Sequence, residues 1–219
     1  LTTIPGIVRE LVMWRDTLFV CGSFLSYPET SVFYLGDDGL HPYGAIGSGA
    51  FRLRVIEDTL WAVGTFDIVN DQPSVGVAKR VDGQWLTVGN MPSSNNSLGD
   101  IVKYQGELIV VGIGYWQNER HAVYRLVGDD WVLLGDGVWG MNSRPSIMCE
   151  YQGLLYMAGQ IRQSEGNVGH GIIAWNGSEY LNVGGGLTWA PNDYFALTGV
   201  KSMEVRDGLL YIGGGFFYA

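Results

Sequence analysis

The same short run of residues occurs five times along this chain of 219 residues. In each run an Asp or Gly lies two positions before a leucine, and an apolar stretch then continues to a glycine. The leucines are Leu18, Leu60, Leu108, Leu155 and Leu210, spaced by 42, 48, 47 and 55 residues, and the runs end at Gly22, Gly64, Gly112, Gly159 and Gly214. A period of this size indicates a protein built from repeated supersecondary units.

Each unit predicts four short strands. An apolar residue seven positions before each leucine gives a first strand, and the Asp or Gly turn joins it to the second strand as a hairpin. A short apolar segment gives a third strand, and a large apolar or aromatic residue four positions before a glycine gives a fourth. These last pairs are Leu40 and Gly44, Trp85 and Gly89, Trp131 and Gly135, and Tyr180 and Gly184.

Four antiparallel strands per unit, repeated radially, predict an all-β protein, a β-propeller of about five repeats of about 45 residues. A sandwich of unrelated strands would not predict a fixed period. We interpret residues 1–219 as a single propeller domain with repeats at about 7–50, 51–96, 97–143, 144–194 and an incomplete 195–219. The chain is then either a segment of a larger propeller or a five-bladed ring with an incomplete closing blade. The glycine in every second strand indicates that backbones approach closely where neighbouring sheets stack.

Composition excludes several classes of partner. The net charge is −9 and no Lys/Arg cluster occurs, which argues against nucleic acid and anionic membrane surfaces. No apolar run is long enough to insert into a membrane. No metal-binding, phosphate-binding or nucleophile motif is present, so we expect no cofactor, no metal and no catalytic residue. Cys21 and Cys149 are interpreted as small core residues.

Several segments resemble a known family of repeats. These are L-L-Y-I-G-G-G-F at 209–216, L-L-Y-M-A-G at 154–159, W-N-G-S-E-Y-L-N-V-G at 175–184 and V-D-G-Q-W-L-T-V-G at 81–89. In them the chain resembles the kelch and galactose-oxidase-like propeller repeats of extracellular proteins, although only the last unit has the full Gly-Gly after its second strand. The resemblance implies a propeller located outside the cell or on its surface, in the manner of adhesins and receptor-binding modules.

Aromatic and polar residues concentrate in two kinds of loop, those after the second strand and those linking one unit to the next. Exposed Trp and Tyr offer apolar faces for stacking, and Arg and Asn offer oriented hydrogen bonds, as sugar rings and protein partners both require. The predicted ligand-binding residues are Tyr115, Trp116, Arg120, Trp139, Arg144, Trp189, Asn192 and Tyr194.

The sequence therefore predicts a non-catalytic extracellular module that binds a glycan or a protein partner through these loop aromatics. One alternative is a structural subunit of a larger extracellular or virion complex, assembled through the incomplete terminal blade. A propeller glycosidase is another, with Glu10, Asp100, Glu150 and Glu204 of the first strands as its candidate acids.

Overall fold

The computed structural model describes residues 6–91, 96–114, 120–121, 123–140, 144–188 and 199–217. Strands dominate this part of the chain, and its only helix is a 3-10 turn, Gln163–Glu165. Two compact units are formed, one by Leu1–Ile101 with Val127–Trp131 and one by Val102–Leu126 with Val132–Ala219. The prediction of an all-β protein is confirmed.

The strands follow one another in short segments. Strands β1 to β6 are Gly6–Trp14, Thr17–Phe24, Val32–Gly36, Gly39–Pro42, Ala50–Ile56 and Thr59–Gly64. Strands β7 to β12 are Ile68–Val69, Gln72–Pro73, Val77–Val81, Gln84–Thr87, Asn96–Tyr104 and Glu107–Gly114. Strands β13 to β18 are Arg120–His121, Val123–Val127, Asp130–Leu133, Val138–Trp139, Arg144–Tyr151 and Leu154–Gln160. Strands β19 to β22 are Ile172–Trp175, Tyr180–Asn182, Gly199–Arg206 and Leu209–Gly215.

Sixteen of these strands form four-stranded sheets, each from strands that lie close together in sequence. Sheet 1 has the order β1-β2-β3-β4, sheet 2 β5-β6-β9-β10, sheet 3 β11-β12-β14-β15 and sheet 4 β17-β18-β19-β20. Sheet 3 contributes residues to both compact units. Strands β21 and β22 form a terminal hairpin, and β7-β8 and β13-β16 are two-residue pairs. The predicted four-strand pattern is thus confirmed in four places.

The turns that open the sheets explain the Asp and Gly before each leucine. In the turn between β1 and β2, Arg15 and Asp16 have φ values of 48° and 58°. Two successive residues with positive φ are typical of a type I′ turn, whose twist matches that of the strands it joins. The other first hairpins repeat this pattern at Glu57-Asp58, Gln105-Gly106, Gln152-Gly153 and Asp207-Gly208.

In four of the five second strands, the glycine is required for a different reason from the one expected. A Cβ on Gly64 would overlap the carbonyl oxygen of Gly49, which belongs to the segment entering the first strand of the same sheet. At this point β5 carries a β-bulge at Phe51, where its register with β6 shifts. The close approach therefore lies within one sheet, opposite a bulge, and not between stacked sheets. The same bulge-and-glycine pair occurs at Gly22, Gly159 and Gly214.

A hydrogen bond from the fourth strand joins consecutive sheets within each unit. Trp85 Nε1 donates to the carbonyl of Tyr43 at 2.6 Å, and Trp131 Nε1 donates to that of Val88 at 2.9 Å. In the second unit Tyr180 Oη donates to the carbonyl of Leu134 at 2.7 Å. Each donor lies four residues before the fourth-strand glycine of its own sequence repeat. Each acceptor lies one residue before the corresponding glycine of the preceding repeat. Trp85, Trp131 and Trp175 are core residues, since none is more than 6% exposed.

We predict that Gly64→Ala lowers the free energy of unfolding by about 1–3 kcal/mol, the usual cost of forcing an extra methyl into a tight backbone contact. The matched control is Gly185→Ala, because no atom lies within 4 Å of a Cβ there and its φ is not positive. Urea denaturation should show no more than about 0.5 kcal/mol of change for the control. Equal stability of the two variants would contradict the role given to the bulge.

Candidate functional site

The second unit contains a cleft of about 490 Å³ beside the end of sheet 3 and the third and fourth strands of sheet 4. Residues from three segments line it. The described lining residues are Gly135, Asp136, Gly137, Trp139, Gly166, Asn167, Val168, Ile173, Trp175, Ser178, Glu179 and Tyr180. A concave surface that combines aromatic rings with a few polar groups is the usual form of a small-ligand site.

The backbone of Trp139 is held by the buried side chain of Asn167, which is 8% exposed. The amide oxygen of Asn167 accepts the Trp139 N–H at 2.8 Å, and its Nδ2 donates to the Trp139 carbonyl at 2.9 Å. The same Nδ2 donates to the carbonyl of Arg162 at 2.8 Å. One side chain therefore fixes the segment that carries Trp139 against the loop after β18.

Local backbone geometry makes this contact possible. The 3-10 turn Gln163–Glu165 ends at Gly166, whose φ of 95° reverses the chain just before Asn167. Gly140, with a φ of 103°, lies directly against the Glu165 side chain, and a Cβ there would overlap it. On its other side Trp139 belongs to β16, which pairs antiparallel with β13 so that Trp139 lies opposite Arg120. The segment after sheet 3 that carries Trp139 is therefore contacted on one side by the loop after β18 and on the other by β13.

Two aromatic rings form the wall of the cleft on sheet 4. Trp175 and Tyr180 lie with ring centroids 4.8 Å apart and an interplanar angle of 58°. Burial, and to a smaller extent the charge of Asp136, raises the pKa of Tyr180 above its ordinary range. The phenol therefore stays protonated, and its O–H donates a hydrogen bond to the carbonyl of Leu134. Its ring and that of Trp175 offer the cleft an apolar, rigid surface.

The charge of the cleft is negative. Asp136 and Glu179 are among its lining residues, and no basic side chain is among those described. Anions are disfavoured by such a lining, whereas neutral polar groups and cations are accepted.

The sequence-predicted site residues fall into two groups. Trp139 lines the cleft, Arg120 pairs with it through the backbone, and Arg144 is exposed at the start of β17. The other five lie outside the described residues: Tyr115, Trp116, Trp189, Asn192 and Tyr194. Sequence reasoning missed Asn167, Asp136 and Glu179. No pattern in the sequence marks Asn167, because its partner Trp139 is 28 residues away.

Of the four candidate acids on the first strands, two form ion pairs with arginines and two are exposed. Asp100 is fully buried and accepts two hydrogen bonds from Arg54, at 2.8 and 2.6 Å. Arg52 lies between Asp100 and Glu10, with Nη1 2.9 Å from Glu10 Oε2 in a close ion pair whose angles are poor for a hydrogen bond. Glu150 and Glu204 are exposed. Glu10 and Asp100 therefore belong to a charge network across adjacent first strands of the first unit.

Burial raises the pKa of Glu10 above its ordinary value of 4.5, an effect that Arg52 and Arg54 partly offset and Asp100 reinforces. The folded state thus favours the protonated form, and stability is lost as the pH rises from about 4.5 through the raised pKa. We predict that Glu10→Gln removes this pH-dependent loss, so the stability of the variant relative to the native chain improves between pH 4.5 and 7.

Asp100→Asn is the contrasting variant. It leaves Arg54 without its buried carboxylate and should cost about 3–5 kcal/mol at pH 7. Urea denaturation across this pH range measures both effects. A Glu10→Gln variant as destabilised at pH 7 as Asp100→Asn would contradict this account.

The remaining reactive side chains carry no chemistry that the structure identifies. Cys21 is buried, which raises its pKa to about 12, and Cys149 is half-buried, so the core interpretation is confirmed for Cys21 alone. His170 is buried.

Within the described residues no group of three or more His, Cys, Asp or Glu side chains is arranged to hold a metal. None of the helical structure described there has the length and apolar character needed to cross a membrane.

The sequence matches no protein-family model, and no curated protein matches it either.

Proposed function

We propose that this protein is a non-catalytic binding module that recognises a glycan in the cleft beside Trp139. The observation that carries the proposal is the fixed position of Trp139 in a concave site, held by the buried amide of Asn167. Aromatic rings stack on the apolar faces of sugars, while polar side chains orient the hydroxyl groups. A concave aromatic site favours a small ligand over the flat contact that protein assembly uses.

The charge of the cleft narrows the class of glycan. Asp136 and Glu179 line it without a described basic residue. Sialylated, sulfated or uronic-acid glycans would bring a further negative charge into this site, and like charges placed together lower affinity. The proposed ligands are therefore neutral sugars or amino sugars with a free amine.

The scaffold proposed for this site is a β-propeller with kelch-like repeats, in which the four-stranded sheets are blades. Three features support it. Each four-stranded sheet is built from strands that lie close together in sequence, and a bulge faces a glycine in four of the five first hairpins. Fourth-strand aromatics also bond to the preceding sheet. An extracellular or cell-surface location is part of the same proposal and rests on the resemblance to kelch and galactose-oxidase-like repeats.

We predict that the chain binds neutral or amine-bearing glycans on an array, and that Trp139→Ala weakens this binding at least tenfold, equivalent to about 1.4 kcal/mol. Asn167→Ala should weaken it as well, because it releases the Trp139 backbone. Trp14→Ala is the matched control, since Trp14 is half-buried and does not line the cleft.

Two results would contradict the proposal. One is an array on which only anionic glycans bind, because the acids of the cleft oppose them. The other is glycan binding that survives Trp139→Ala unchanged. An array with no binding at all, followed by capture of a defined protein that Trp139→Ala abolishes, would assign the cleft to a protein partner instead.

A further inference from the structure

The turn between β19 and β20 carries the one Asn-Gly dipeptide of the chain, Asn176-Gly177. Ser178 and Glu179 complete this turn, and both of them line the cleft. Gly177, Ser178 and Glu179 are exposed, and Asn176 is half-buried. The dipeptide is therefore accessible to water and directly adjoins the cleft in sequence.

The side-chain carbonyl of Asn176 accepts three hydrogen bonds. Its Oδ1 accepts the Ser178 N–H at 2.8 Å, the Ser178 hydroxyl at 2.9 Å and the Glu179 N–H at 2.9 Å. The bond from the Ser178 N–H closes a ring of atoms, an Asx turn, that contains the backbone nitrogen of Gly177. The turn therefore keeps the side-chain carbonyl carbon of Asn176 close to that nitrogen.

Two nitrogen atoms of the same turn are not engaged. Within the part of the chain that the structure describes, neither the Gly177 N–H nor the Nδ2 of Asn176 donates a hydrogen bond. Gly177 also has no Cβ that would obstruct an approach to its nitrogen. A nucleophile held next to a carbonyl whose oxygen is already hydrogen-bonded is the arrangement that favours intramolecular acyl transfer.

We propose that Asn176 is a site of spontaneous deamidation, with the Gly177 nitrogen as the nucleophile. This nitrogen loses its proton to water or hydroxide and forms a C–N bond to the side-chain carbonyl carbon. The amide nitrogen of the side chain takes up a proton and leaves as ammonia, so that a cyclic succinimide remains. Water then opens the succinimide at one of its two carbonyls, which leaves aspartate or isoaspartate at position 176.

The hydrogen bonds to Oδ1 assist this reaction because that oxygen becomes negatively charged when the nitrogen attacks. Donors already aimed at an oxygen stabilise the charge that develops on it in the transition state. The bonds from Ser178 and Glu179 therefore stabilise the transition state more than the ground state.

The product alters the turn that borders the cleft. Either acid adds a negative charge next to a segment that already carries Glu179, and isoaspartate also lengthens the backbone there. Any effect on glycan affinity rests on the proposed function. The modification itself requires no ligand, so its measurement succeeds or fails independently of glycan binding.

Incubation of the folded chain at neutral and mildly alkaline pH, followed by peptide mass spectrometry, tests the proposal. Asn176 should be converted at least tenfold faster than Asn182, a difference of about 1.4 kcal/mol in activation free energy. Asn182 is an internal control, since it is exposed on β20 but its Nδ2 is bonded and the β-branched Val183 follows it. The rate should rise with pH, because the attacking nitrogen must lose its proton.

Two substitutions separate the contribution of the turn from that of the dipeptide. Ser178→Ala keeps Asn-Gly but removes the hydroxyl donor to Oδ1, so it should react severalfold more slowly. Ser178→Thr retains a hydroxyl and is the matched control, which should react at nearly the native rate. Far-UV circular dichroism verifies that both variants are folded. Conversion of Asn176 no faster than that of Asn182 would overturn the proposal, as would a Ser178→Ala variant that reacts as fast as the native chain.

Discussion

The hydrogen bond from a fourth-strand aromatic to the carbonyl of the preceding sheet is the interaction on which the rest of this structure depends. A four-stranded sheet alone cannot bury both of its faces, so it needs a neighbour at a fixed position. Trp85, Trp131 and Tyr180 each fill the space toward that neighbour and donate to one carbonyl there. The ring supplies apolar area and the polar atom supplies direction, so each sheet is fixed in position as well as attached.

The hydrogen bond from Tyr180 also positions the candidate site. The carbonyl that Tyr180 bonds belongs to Leu134, and the chain continues from Leu134 directly into the cleft at Asp136 and Trp139. The contact that joins sheet 4 to the end of sheet 3 therefore also fixes one wall of the cleft, and Asn167 fixes the other. A binding surface built this way loses little conformational entropy when a ligand arrives, because the backbone of Trp139 and the rings of Trp175 and Tyr180 are already held.

Much of the architecture could be predicted from the sequence because its signals are local. The Asp or Gly turns, the anchoring leucines and the buried tryptophans are set by residues within a few positions of one another. The bulges were not predictable in this way, since Gly64 is explained only by the carbonyl of Gly49, across the hairpin. The Asn167 contact and the network of Glu10, Arg52 and Asp100 were missed for the same reason, because the side chains in direct contact are 28 to 48 residues apart in sequence and adjacent only in the fold.

The most direct test of the central claim is the hydrogen exchange of tryptophan indole N–H groups, followed by ¹⁵N NMR with signals assigned by Trp→Phe substitution. Trp85 and Trp131 are at most 1% exposed and donate to carbonyls of the preceding sheet, whereas the indole of Trp14 donates to an exposed acceptor at 3.2 Å. We predict that the Trp85 and Trp131 indoles exchange far more slowly than that of Trp14. Exchange at Trp131 as fast as at Trp14 would show that the sheets are not joined through this bond.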